Sequence, residues 1–91
     1  MSSGVQNDQK ALIEFRNRLI RFNRTLDTEY RAMVGGWRQL EPIWRDEQYR
    51  KFGGSLEEVG KGIERYLKAT EKHEHHLLGL IQAMDAYLKA R

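Results

Sequence analysis

Apolar residues recur every seven positions through the first half of the chain. One line of this repeat consists of Leu12, Leu19, Leu26, Met33 and Leu40. A second line begins three residues later and then drifts by one place; it consists of Phe15, Phe22, Tyr30, Trp37 and Trp44. Alternating steps of three and four residues put side chains on one face of an α-helix. The pattern therefore predicts a long amphipathic helix from about residue 9 to residue 41.

The second half of the chain repeats the pattern without a slip. Its apolar seam is predicted to contain Tyr49, Phe52, Leu56, Val59, Ile63, Tyr66, Thr70, His73, Leu77, Leu80, Met84 and Tyr87. This spacing predicts a second helix over about residues 46–90. Gly53 and Gly54 interrupt the seam, and Ser55 with Glu58 fits a capping box. We favour one helix with a soft point at 53–54 over a break there, because the phase of the seam is unchanged.

The segment between the two helices contains the only proline of the chain. Pro42 has no backbone N–H and disfavours a helical conformation at Glu41, so the first helix is expected to end there. Asp46 is suited to cap the second helix. The sequence thus predicts an all-α antiparallel two-helix hairpin with a bend at 42–46. Residues 9–91 are expected to form a single domain behind a disordered polar tail at 1–8.

The second helix also carries a flank of small residues beside its seam. The flank contains Gly62, Ala69, His76 and Ala83, seven residues apart. Small side chains let a neighbouring helix come close. Apolar residues also lie across the seam, at Leu67, Ile81 and Leu88 in the second helix and at Ile13 and Ile20 in the first. A lone hairpin would leave some of this area in water. We therefore expect two hairpins to pair into a four-helix bundle, as a homodimer or as a heterodimer with a similar hairpin protein.

Composition excludes several classes of protein. The 91 residues contain no cysteine, so disulfides and thiolate metal sites are absent. The net charge of +3 comes from mixed basic and acidic residues. The densest basic run, Arg16 to Arg24, is interpreted as solvated helix surface, which argues against nucleic-acid binding. No apolar run reaches the ~20 residues of a membrane span, and the start of the chain lacks a signal-peptide pattern. We expect cytoplasmic synthesis and no membrane insertion.

The sequence offers no catalytic constellation, and we expect neither an enzyme nor a cofactor. It has no Gly-rich phosphate loop, no nucleophile elbow and no suitably placed pair of carboxylates. His73, His75 and His76 form the only cluster of metal-ligand type. Two imidazoles three residues apart could contribute to a site shared with another chain. The preferred interpretation assigns no metal and treats His73 as a polar interruption that sets the register of the seam.

Aromatic residues gather around the predicted bend, where they are the candidate partner-contact residues. They are Trp37, Trp44, Tyr49 and Phe52, with Asp46 between them. One interpretation, which we favour, is a hydrophobic plug that closes the end of the hairpin. The alternative is a partly exposed patch that a partner contacts, because aromatic side chains often dominate binding at interfaces.

This layout resembles the WXG superfamily of small type VII-secreted proteins. The similarity covers nearly the whole chain and lies in the two long amphipathic helices and the bend tryptophan, here Trp44. An aromatic residue, Tyr49 or Phe52, follows a short step into the second helix. The resemblance implies a hairpin that dimerises and is exported folded without a cleavable signal. It also implies a role as secretion partner, adaptor or effector.

Two positions depart from the family pattern. Arg45 and Asp46 follow Trp44, so the glycine of Trp-Xaa-Gly is missing. The segment that starts at Tyr87 ends in Arg91, where the family's tail signal has an acidic residue. In that family a paired partner can supply the signal. We expect a non-enzymatic protein-interaction module of WXG-like type, and the alternative is a cytoplasmic coiled-coil adaptor or assembly subunit without an export role.

Overall fold

The chain folds into two antiparallel helices, as the sequence predicts. The structure is a computed structural model that describes the backbone of residues 2–90 and the side chains of residues 4–90. Helix α1 spans Ser2–Gln39 and helix α2 spans Glu47–Lys89. No strand occurs among residues 2–90. The helices pack against each other as a hairpin, which confirms the predicted all-α class.

Helix α1 differs from the prediction at both ends. It begins at Ser2, so residues 2–8 are helical where the sequence suggested a disordered tail, and residue 1 lies outside the described part. Gln9 explains the extension, because its side-chain amide donates to the carbonyl of Ile81 at 3.1 Å. An anchored helix extends at little cost per residue. At its other end α1 stops at Gln39, two residues before the predicted limit.

The bend is a series of tight turns that starts ahead of Pro42. The amides of Leu40 and Glu41 donate to carbonyls three residues earlier, at 3.1 and 3.3 Å. Such bonds tighten a helix end and satisfy its last carbonyls. The amide of Trp44 donates to the carbonyl of Leu40 at 2.7 Å, which closes the turn. The bend therefore covers residues 40–46 instead of 42–46.

Asp46 caps α2, as the sequence predicts. Its carboxylate oxygen accepts from the backbone amide of Tyr49 at 3.2 Å, three residues into the helix. The same oxygen accepts from the indole N–H of Trp44 at 2.7 Å. One carboxylate thus satisfies a free amide of the helix start and fixes the bend tryptophan.

Removing this cap should destabilise the hairpin. Asp46→Ala is expected to lower the free energy of unfolding by about 1 kcal/mol, because the amide of Tyr49 and the indole of Trp44 both lose their side-chain acceptor, and the amide keeps only the backbone carbonyl of residue 46. Asp46→Asn is the control, since asparagine caps about as well as aspartate. Urea unfolding followed by circular dichroism measures both. Equal stability of the alanine and asparagine variants would contradict the assigned cap.

Two compact units, each built from both helices, make up the hairpin. One comprises Asn23–Lys68; the other joins the chain up to Phe22 with the chain from Ala69 onward. In the unit Asn23–Lys68, Tyr30 donates its hydroxyl proton to the carbonyl of Leu56 at 2.9 Å. In the other unit, Arg16 Nε donates to the carbonyl of Glu74 at 3.0 Å. These bonds identify the inward faces of α1 and α2.

Only part of the predicted seam faces inward. We place heptad position a at Leu12 in α1 and at Tyr49 in α2. The inward residues then occupy position e and, apart from the exposed Met33, position a. The sequence predicted a and d, with a drift to e only at Tyr30 and Trp37 of α1. Position e contains Gln9, Arg16, Asn23, Tyr30 and Trp37 in α1 and Gly53, Gly60, Leu67, Glu74, Ile81 and Leu88 in α2. Each of these residues is buried or half-buried. The expectation of a solvated Arg16 is therefore wrong, because its guanidinium reaches α2.

Gly53 and Gly54 do not break α2, which runs unbroken from Glu47 to Lys89. Gly53 lies against the indole ring of Trp37, and a Cβ atom there would overlap that ring. The glycine is thus a socket for an aromatic side chain of α1, and the indole ring packs directly against the backbone of α2 at this point. Ser55 does not start a new helix; its hydroxyl donates to the carbonyl of Lys51 at 3.3 Å within the same helix.

Candidate functional site

Large apolar side chains of α1 are exposed to solvent. Phe15 and Phe22, at position d, each expose 54% of their surface, and Met33 exposes 53%. Phe15 directly precedes the inward-facing Arg16, and Phe22 directly precedes the buried Asn23. The apolar residue of each pair thus faces water while the polar one faces α2. This arrangement is the reverse of what burial of apolar surface favours in an isolated hairpin.

Helix α2 also exposes apolar side chains along its own position d. Phe52 exposes 40%, Val59 52%, Leu80 39% and Tyr87 51% of their surface. His73 also occupies position d and is exposed. Each of these residues directly precedes an inward-facing residue at position e. Half of the predicted seam of α2 therefore faces away from α1.

The exposed residues of α1 and α2 lie on the same side of the hairpin within each unit. Position d precedes position e by one residue, a rotation of about 100° around the helix. Two antiparallel helices that face each other are related by a twofold axis perpendicular to the plane that contains them. Equivalent heptad positions therefore emerge on one side. We call the exposed apolar residues at and beside position d the apolar face of each unit; it contains Phe15, Phe22, Leu80 and Tyr87 in one unit and Met33, Leu40, Phe52 and Val59 in the other.

The small-residue flank of α2 borders the apolar face. Gly62, Ala69, His76 and Ala83 occupy position g, which is next to position d on the helix surface. Gly62 is half-buried and the other three are exposed. Within each unit, the predicted dimer flank therefore lies next to the exposed residues of position d.

The aromatic residues at the bend separate into an inner pair and an outer pair. Trp37 and Tyr49 stack with their ring centroids 4.5 Å apart. The indole of Trp37 donates to the carbonyl of Tyr49 at 3.0 Å, and the hydroxyl of Tyr49 donates to the carbonyl of Trp37 at 2.9 Å. Trp44 is half-buried against the edge of Tyr49, and Phe52 is exposed. The inner pair has the geometry of a plug, and Phe52 belongs to the apolar face.

The hydrogen bond from the Tyr49 hydroxyl to the carbonyl of Trp37 requires that the hydroxyl is protonated. Tyr49 exposes 8% of its surface, and burial raises the pKa of its phenol above the ordinary value. The carboxylate of Glu41 adds to the increase, and Arg38 opposes it. The phenol therefore stays neutral across the physiological pH range and remains a donor to the carbonyl of Trp37.

Neither the bend nor the histidine cluster forms an enclosed site. An open cavity of about 360 Å³ lies beside Trp44, between Pro42 and Arg50. His73, His75 and His76 are all exposed on α2. Among the described residues, no three histidine, cysteine or acidic side chains come together in a way that could hold a metal ion.

No family model, no curated protein and no solved structure matches this chain. Within residues 2–90, neither helix combines the length and apolar character needed to cross a membrane. Function must therefore be inferred from the surface of the hairpin itself.

Proposed function

We propose that this protein is a non-enzymatic interaction module that pairs with a second helical hairpin through its apolar face to form a four-helix bundle. The inversion in α1 carries the proposal. Phe15 and Phe22 face outward while Arg16 and Asn23 occupy the inward positions. Outward phenylalanines are stabilising only if another surface removes them from water.

Each unit exposes enough apolar surface to favour a partner. A buried aromatic side chain covers ~150–250 Å², so the four half-exposed large side chains of one unit leave on the order of 300–400 Å². The largest apolar patch of an ordinary monomer is roughly 300–600 Å² and is often functional. The apolar face of each unit thus has the size of a patch that marks an interaction site.

The biological setting of this pairing follows from the resemblance to the WXG superfamily. The helical hairpin and the half-buried Trp44 at the bend support a role as a secretion partner or effector. The alternative is an adaptor that pairs in the cytoplasm without export. Detection in the medium of the native host, with loss when the type VII secretion ATPase is deleted, would support the first role. Retention in the cells of both strains would support the second.

Pairing through an apolar face should resist salt. Light scattering at about 10–100 μM is expected to give the mass of two chains in both 0.05 M and 1 M NaCl. Salt screens attraction between charges but does not weaken apolar contacts. Circular dichroism controls for folding at each salt concentration. A folded monomer at 100 μM would contradict homodimer formation, and its conversion to a dimer by an added hairpin protein would leave hetero-pairing as the form of the proposal.

A further inference from the structure

We infer that the unit Asn23–Lys68 carries a second contact surface, a groove that binds a short acidic peptide segment of a partner protein. The groove lies between α1 and α2 beside the bend and has a volume of about 520 Å³. Arg38 of α1 and Arg50 of α2 form the end that would hold the carboxylate. The inference goes beyond the proposed function, because the pairing of hairpins uses another side of this unit.

The groove and the apolar face lie on opposite sides of the unit. The residues that line the groove occupy heptad positions a, b, e and f only. Position b follows position a by one residue, whereas position d precedes position e by one residue, and one residue is a rotation of about 100°. Because positions a and e face the other helix, positions b and d emerge on opposite sides. A partner bound to the apolar face therefore leaves the groove open.

The groove has an aromatic wall and a point where α2 can be approached closely. Trp37 and Tyr49, whose ring centroids are 4.5 Å apart, both line it. Gly54 lines it as well, and a Cβ atom there would meet nothing within 4 Å. A peptide backbone can come close to α2 at this glycine, and an apolar side chain of the peptide would then lie against the aromatic residues.

The end of the groove next to the bend is basic. Arg38 directly follows Trp37, and Arg50 directly follows Tyr49, so one guanidinium group extends from each helix beside the stacked rings. Among residues 4–90, neither guanidinium forms an ion pair. A guanidinium group binds a carboxylate through two parallel hydrogen bonds, so two of them at one end of a groove favour an acidic ligand.

The acidic residues around the bend do not neutralise these two arginines. The carboxylate of Asp46 accepts from the indole of Trp44, and that of Glu47 pairs with Lys51 at 3.9 Å. Glu41 does not line the groove. Both guanidinium charges are therefore left for a ligand.

The far end of the groove decides the class of ligand. Tyr30, Leu56 and Glu57 line this end. Tyr30 and Trp37 are seven residues apart, which is ~10 Å along α1 and matches about three extended residues of a peptide. An open groove of that length suits a short peptide better than a small molecule, which binds in an enclosing pocket. The carboxylate of Glu57, which pairs with Lys61 at 3.9 Å, would repel a continuous polyanion such as nucleic acid.

Two blocked tetrapeptides test the inference on the full chain, one with two glutamates before two leucines and one in the reverse order. NMR titration of the nitrogen-15-labelled protein measures their binding. At least one peptide is expected to shift the backbone amide of Gly54 with a dissociation constant on the order of 1 mM. The amide of Gly62, which lies in the same unit on the side of the apolar face, should not shift. Peptides with glutamine in place of glutamate should bind at least ~5-fold more weakly.

Variants of the two arginines identify the groove as the site. Arg38→Gln and Arg50→Gln should each weaken binding by up to about 5-fold, as expected for loss of an exposed ion pair, and the double variant should weaken it by ~10-fold or more. Arg24→Gln is the matched control, because it removes the same charge from α1 of the same unit at a residue that does not line the groove. Circular dichroism checks that each variant is folded.

Four outcomes would each overturn the inference. They are equal binding of the glutamate and glutamine peptides, equal weakening by Arg24→Gln and the double variant, a shift of Gly62 without a shift of Gly54, and no shift of Gly54 with either peptide. Inorganic phosphate that shifts Gly54 with the same affinity as the peptides would also overturn it, because the groove would then bind any anion. Light scattering tests the pairing of hairpins separately, so a failure of this inference and a failure of the proposed function are distinguishable.

Discussion

Glutamate in place of Val59 or Leu80 is expected to turn the paired protein into a monomer with intact helices. Both residues are exposed in the hairpin, at 52% and 39% of their surface, so the change costs the single hairpin little. In the proposed pair each glutamate would lie in the contact between apolar surfaces, with no opposite charge beside it. A charge buried at an interface without a partner costs about 2 kcal/mol or more.

A homodimer contains each substituted residue twice, which doubles this cost. A total of ~4 kcal/mol corresponds to a dissociation constant raised by about 1,000-fold. Sedimentation equilibrium measures the dissociation constant, and circular dichroism checks that the helices persist. Gln82→Glu is the matched control, since residue 82 lies at position f, away from the apolar face. A full-strength dimer of Val59→Glu would show that the apolar face is not the contact surface.

Alanine in place of Gly53 or Gly60 should destabilise the hairpin, although alanine is the better helix former. A Cβ atom at residue 53 would overlap the indole of Trp37, and one at residue 60 would overlap the hydroxyl of Tyr30. Relief of the overlap at residue 60 displaces the hydrogen bond from Tyr30 to Leu56, which contributes about 1 kcal/mol. Overpacking costs a further ~1–3 kcal/mol, and the gain in helix propensity returns about 1 kcal/mol.

The expected net loss is about 1–3 kcal/mol for Gly60→Ala and up to about 2 kcal/mol for Gly53→Ala. Each kcal/mol corresponds to roughly 4–8 °C in Tm for a chain of this size. Gly54→Ala is the control beside Gly53, because a Cβ atom there would meet nothing within 4 Å. It should raise the stability by ~0.5–1 kcal/mol. Thermal unfolding by circular dichroism compares the three variants. Stabilisation by all three would contradict the assignment of Gly53 and Gly60 as sockets.

The role of these glycines could not be predicted from the sequence. Gly53 and Gly54 are adjacent and chemically identical, and the sequence suggested only a soft point. Their environments differ because Trp37 lies against one and solvent against the other. The seven-residue spacing of Gly53 and Gly60 matches that of Tyr30 and Trp37, and this match was the available signal. This signal can be interpreted only when it is known which residues of the two helices face each other, and the fold alone supplies that information.

Heptad periodicity also left the inward face of each helix undetermined. Positions a, d and e are all close together on a helix, and both a–d and a–e satisfy steps of three and four residues. Hydrophobicity favours a and d, which is why Phe15 and Phe22 were expected to face α2. The structure places Arg16 and Asn23 there instead. Composition alone therefore does not determine which apolar residues face the other helix and which face away from it.

The sequence by itself determined the two helices, the bend near Pro42 and the cap at Asp46. These are local features, fixed by the periodicity of apolar residues, by a missing amide hydrogen and by one well-placed carboxylate. The tertiary structure decided which half of the apolar seam is covered by the chain's own second helix and which half is left in water. That choice depends on the rotation of each helix about its axis, which is set by contacts between residues far apart in the chain, such as Tyr30 with Gly60.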